Sequence, residues 1–157
     1  VTLVESAISL GVLAVAVPLV FAALGEAGHT ASEAEHDNRS GSILPICLEA
    51  VERARDGAPG WFGPCPAGSP FPPDGEIWAL AFAGDGRLLG RLTQESYDQG
   101  LRHLEGTEVG YLARLSAVPH ENTSSSNQTL RLSITIEHPA TRPAARRNRS
   151  SFHSCIR

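Results

Sequence analysis

The sequence predicts an α+β protein, a long N-terminal helix packed on an antiparallel sheet of about four or five strands. Three observations carry that expectation. The chain opens on an apolar run that extends to Leu24, with Glu5 as its one ionisable side chain. From Ile43 to Ala54 apolar residues recur at helical spacing, with charged residues between them. Beyond Gly75, short stretches of alternating or β-branched residues are separated by turn signals.

The first segment, residues 1–25, is long enough to cross a membrane. At about 1.5 Å per residue, Val1 to Leu24 makes a helix of about 36 Å, against a hydrocarbon core of about 30 Å. A soluble domain of this size seldom buries a helix that is apolar all round, so a membrane anchor is the expectation. It does not read as a secretory signal peptide, because it lacks a basic start and its polar residue comes too early. A chain that begins with Val reads as a processed mature form or a fragment.

Residues 26–56 are expected to continue the helix with an amphipathic face. Ile43, Ile46, Cys47, Ala50, Val51 and Ala54 form the apolar side, Glu49, Glu52, Arg53 and Arg55 the other, and Asp56-Gly57 the stop. Pro18 and Pro45 each remove a helical hydrogen bond and are expected to kink or open the helix locally. Residues 57–157 form a β-rich head. It begins with a Pro/Gly-dense loop, 57–75, which cannot be regular structure and is expected to be anchored by Trp61, Phe62 and Phe71. Glu76–Phe82 then reads as a strand, Gly84-Asp85-Gly86 as a hairpin turn and Arg87–Leu89 as the returning strand. Val109–Val118 and Thr129–Glu137 are two more strands flanking a Ser/Asn-rich loop, and Ser151–Ile156 is a short last one.

Charge is unevenly distributed within a formal net of −4. Nine acidic residues lie between Glu26 and Glu76, whereas from Leu130 onward Glu137 faces six arginines. Opposite poles of this kind suit head-to-tail packing of subunits, and they equally suit a solvated acidic helix with a basic surface loop. The three cysteines, Cys47, Cys65 and Cys155, have no metal-ligand spacing. Outside the cytoplasm they predict one disulfide and one free thiol. Cys47–Cys65 is the expected pair, since it pins the Pro/Gly-rich loop to the helix, with Cys65–Cys155 as the competitor.

No catalytic constellation is visible. Glu26, His29, Glu33 and His36 repeat a Glu-x-x-His spacing on one helical stripe, yet metal sites of that type draw on several helices, so a solvated stripe and no metal are expected. Ser124-Ser125-Ser126 has no nucleophile-elbow context. Neither a phosphate loop nor a dinucleotide fingerprint occurs, and an enzyme or a cofactor is not expected. The arginines between Arg142 and Arg149 are of a kind that binds phosphates, but no aromatics are interleaved with them, so nucleic acid is not an expected partner.

Val1-Thr2-Leu3-Val4-Glu5, followed by an apolar run of about twenty residues, resembles the N-terminal methylation motif of type IV pilins and type II secretion pseudopilins, with Val in place of the usual first-position Phe. The resemblance covers residues 1–25. Ala7–Val12, Phe82–Arg87 and Tyr111–Leu115 further resemble a pilin-like family of Verrucomicrobia, the Verru_Chthon cassette protein B group. That class also shares the long helix and antiparallel sheet. Its usual helix-breaking Gly and Pro near positions fourteen and twenty-two are displaced here to Gly11 and Pro18.

The resemblance implies a bacterial structural protein rather than an enzyme. It also implies that a prepilin peptidase cuts before Val1 and methylates its amine, and that the subunit is expected to wait in the inner membrane for assembly machinery that builds a cell-surface filament. A buried carboxylate needs a partner. In the filament the partner of Glu5 is expected to be the Val1 amine of a neighbouring copy, with Leu3, Val4, Ile8, Leu10, Val12, Leu13, Val17 and Phe21 packing the core. Two other readings remain at this level: a minor pseudopilin of a secretion machine, and a membrane-anchored binding module that does not polymerise.

Overall fold

The computed structural model describes residues 2–66, 68–120 and 129–156. It has the α+β architecture the sequence predicts, a long N-terminal helix and an antiparallel sheet. The chain divides into two compact units, residues 1–38 and 39–157.

The first unit is formed by the leading part of helix α1, which spans Leu3–Arg55. Here the apolar residues face solvent on all sides: Leu10 and Phe21 are 72% and 70% exposed. By length and composition this is a helix able to cross a membrane. α1 is α-helical through Gly11 and Pro18, where a break is expected, and through Pro45. A proline deletes one backbone donor, but the apolar helix formers on either side keep the remaining ladder cooperative.

The second unit begins with the Arg39–Arg55 part of α1. Ile43, Cys47, Ala50, Val51 and Ala54 are buried against the sheet, as their helical spacing predicts. The sheet contains β1 (Ala79–Ala83), β2 (Leu88–Arg91), β3 (His103–Leu104), β4 (Thr107–Pro119), β5 (Leu130–His138) and β6 (Asn148–Ile156). Its order is β2-β1-β4-β5-β6, with β3 pairing to β4, and every pairing is antiparallel. In β5 the alternation expected from sequence sends Leu130, Leu132, Ile134 and Ile136 into the helix-facing core. All five residues of β1 are buried because both its faces are covered: Leu80 and Phe82 join the helix-facing core, Ala79 and Ala81 a second cluster with Tyr97, Leu112 and Ala140.

The Pro/Gly-rich loop is held by aromatic stacking. Trp78 stacks on Phe62 at 4.5 Å and on Phe71 at 4.6 Å between ring centroids. Phe71 also exchanges two backbone hydrogen bonds with Ala117. Trp61, expected as a third anchor, is instead 44% exposed. The hairpin turn falls where predicted, with Gly86 at φ 88° and its N–H donating to the Ala83 carbonyl. The first strand starts at Ala79 rather than Glu76: Trp78 stacks in the loop's anchor, and Ile77 joins the second cluster with Ala79 and Ala81.

A short helix, α2 (Gln94–Gln99), follows β2 and was not legible in the sequence. Thr93 caps it, its Oγ1 accepting from the Ser96 N–H. Gly100 ends it at φ 92°, where an added Cβ meets the Arg142 carbonyl oxygen at 2.7 Å and that of Thr141 at 2.9 Å. Gly100→Ala is therefore expected to destabilise the head by about 2–3 kcal/mol, through positive-φ strain and a clash with fixed backbone. An unchanged denaturation midpoint would contradict this.

The expected Cys47–Cys65 disulfide is corrected: Cys47, Cys65 and Cys155 are free thiols. The Cys65 N–H donates to the Ala54 carbonyl at 2.8 Å, which fixes Cys65 at the end of α1. Ala54 lies about 10 Å further along the helix axis than Cys47, beyond the roughly 7 Å Cα separation a disulfide can bridge. Burial pushes the Cys47 thiol up to about 12, and burial also raises Cys65 against an opposing effect of Arg55. At pH 8 an alkylating reagent should label exposed Cys155 first and reach Cys47 only on unfolding. Rapid labelling of Cys47 in the folded protein would refute that order.

Candidate functional site

The residues assigned to assembly lie at the start of α1. Val1 lies outside the described residues, as do the side chains of Leu3, Val4 and Glu5; the backbone of α1 places positions 3–5 in its first turn. Ile8, Leu10, Val12, Leu13, Val17 and Phe21 are all exposed. At 100° per residue these six point to several sides of the helix, so its apolar surface is continuous rather than a single stripe. No ionisable side chain follows Glu5 until Glu26. From residue 25 to residue 38 the sequence carries four carboxylates and no Lys or Arg.

The head holds a polar constellation that sequence reasoning missed. Glu137 on β5 is 1% exposed, yet both its oxygens are engaged. Oε1 accepts from the Tyr97 hydroxyl at 2.8 Å and from the Arg149 Nε at 2.9 Å, and Oε2 accepts from Arg147 at 2.9 Å. The Arg147 guanidinium lies 4.9 Å from the Tyr97 ring centroid, and donates to the Arg142 carbonyl at 2.7 Å and to the Tyr97 carbonyl. Burial, and then the hydrogen bond to Glu137, push the Tyr97 phenol up to about 12.

This cluster joins β5, α2 and the segment before β6. Both carboxylate oxygens are engaged by side chains from three segments, so Glu137 acts as a clamp between them. It also changes the reading of the Arg-rich loop. Arg147 is buried on Glu137, and Arg149, though half-exposed, is tied to Glu137 and the Ala144 carbonyl; Arg142 and Arg146 are the loop's other exposed cations. The one sequence cue was an acid ending an alternating strand near an arginine run. The clamp's aromatic member, Tyr97, sits on a helix that periodicity does not announce.

Tyr97 and Cys47 give the head an alkaline limit. Both have folded-state values raised above their unfolded ones, so their contribution is fully present below about pH 9–10 and is lost as pH rises toward 12. Thermal midpoints are expected to hold at pH 7–9 and to fall steadily from pH 10 to 12. A flat profile to pH 12 would contradict the burial of both groups.

The sheet face turned away from α1 is polar beyond the ground covered by α2. The antiparallel register sets Arg114, Thr135 and Ser151 in one row, Ser116, Ser133 and His153 in the next, and Val118, Arg131 and Cys155 in a third. These nine positions contain no carboxylate. Elsewhere in the head, an open groove of about 460 Å³ lies between Leu44 and Leu48 of α1 and Leu132, Ile134 and Phe152 of the sheet, with few polar groups converging on it. Among the described residues, no group of three or more His, Cys, Asp or Glu is arranged to hold a metal ion. The Glu26–His36 stripe belongs to the first unit, and the side chain of its His29 lies outside the described residues.

No family model, curated protein or solved structure matches the chain. The functional reading therefore rests on the residues and their placement.

Proposed function

We propose that the protein is the structural subunit of a type IV pilus-like filament on a bacterial cell surface. It rests in the inner membrane through the start of α1 and assembles by packing that segment against copies of itself. The observation that carries this reading is the continuous, exposed apolar surface of α1, uninterrupted by charge from Ser6 to Gly25 and preceded by one carboxylate, Glu5. Such a surface requires either lipid or other apolar helices around it.

The lone carboxylate selects between slipped registers. In a low dielectric the Val1 amine of an incoming copy neutralises Glu5 of its neighbour, and any other register leaves both groups unpaired. The flank after the span supports an outward-facing head. Its lack of Lys and Arg over residues 25–38 removes the signal that holds a flank in the cytoplasm. The head contributes a sheet clamped by Glu137 and Arg147, suited to display rather than turnover.

Shearing cells that express the full chain with its assembly machinery is expected to release filaments visible by negative-stain microscopy, in which mass spectrometry finds this chain. Recovery only as dispersed membrane protein would sink the proposal and favour an anchored binding module.

A further inference from the structure

We infer that the outer face of β4, β5 and β6 receives the acidic helix segment of a second copy, through Arg114 and Arg131. This deepens the filament reading and rests on it. Both arginines are exposed, and they are the two Arg side chains among nine positions that hold no carboxylate. Arg114 is registered with Thr135, four residues from Arg131 on the adjacent strand. At about 3.4 Å per residue and about 4.8 Å between strands, their Cα atoms are about 14 Å apart. Ser116 and Ser133, in the row between them, are short side chains that leave a shallow trough between the two guanidiniums.

The complementary element is on the page. Glu26, Glu33 and Asp37 fall within about 40° of one another around α1 at 100° per residue, and they span about 16.5 Å along it. All three are exposed. Residues 1–38 carry carboxylates and no Lys or Arg, so this segment is complementary in sign to an arginine-bearing face. Spacing and sign both match the arginine pair, within the reach of an Arg side chain. His153 is the one ring among these nine positions, and none of them is Trp, Tyr or Phe, so two spaced guanidiniums rather than a stacking platform dominate the face, which favours a carboxylate-bearing helix over a saccharide or a nucleic acid.

The test is charge reversal with rescue in the full chain. Arg114→Glu/Arg131→Glu and Glu33→Arg/Asp37→Arg are each expected to lower filament yield more than tenfold, and the quadruple variant to recover it, since like charges face each other only in the two doubles. Circular dichroism should be unchanged in all three, because every altered side chain is exposed. A parallel measurement follows salt-sensitive self-association of the same chains in detergent micelles by sedimentation. Wild-type yields in both doubles overturn the contact and leave the filament reading standing. Absent wild-type filaments, with micellar association lost in the doubles and restored in the quadruple, overturn the filament and keep the contact. Loss without rescue places a different anion on the face and overturns the inference.

Discussion

Replacing Arg147 with alanine is expected to cost the head about 3–5 kcal/mol, the usual effect of leaving a buried carboxylate without its partner. The partner, Glu137, is 1% exposed, and a single bond from Arg149, itself half-exposed, does not replace the guanidinium that contacts Oε2 at 2.9 Å. The same arginine holds the Arg142 and Tyr97 carbonyls, so its loss also loosens α2 and the segment leading to β6. Against a domain stability of about 5–15 kcal/mol, that is a large fraction. A paired replacement, Arg147→Met with Glu137→Leu, should cost far less, since neither buried charge remains. Denaturant titration of the detergent-solubilised chain, followed by Trp78 fluorescence, measures both. Equal losses in the single and paired variants would show that packing, and not an unpaired charge, sets the effect.

Glu5→Ala should leave the protein in the membrane and stop its assembly. Removing one carboxylate makes the segment more apolar, so partition into the bilayer is retained or strengthened. In the proposed filament the change leaves the amine of Val1 buried and unpaired, at about 3–5 kcal/mol. That corresponds to about two to four orders of magnitude in the equilibrium for adding a subunit. Glu5→Gln keeps an acceptor but no charge and should fall between. The measurement is the ratio of this chain in sheared surface material to that in membranes. Normal filaments from Glu5→Ala would remove the carboxylate from the account.

The parts of the fold legible in the sequence were those set by local periodicity and turn chemistry. The apolar run to Leu24, the Ile43–Ala54 stripe, the Gly86 turn and the alternation of β5 all depend on neighbours within a few residues. What escaped depends on contacts across the chain. Six residues of α2 carry one buried side chain, Tyr97, which is too little for a helical period. Glu137 reads as the polar end of an outward-facing row until α2 and Arg147 close over it. The cysteines mislead for a similar reason. A disulfide that looks local in sequence fails because Cys65 is tied to Ala54, a position two turns beyond Cys47. Of the candidate site, the apolar helix and its isolated acid are readable at once, because they need no tertiary partner within the chain.

The most direct measurement of the central claim is the structure of sheared filaments by electron cryomicroscopy. The account predicts an apolar bundle of α1 segments with each Glu5 carboxylate within about 4 Å of the Val1 amine of an adjacent copy. Filaments in which Glu5 faces water, or pairs only with the amine of its own chain, would contradict it.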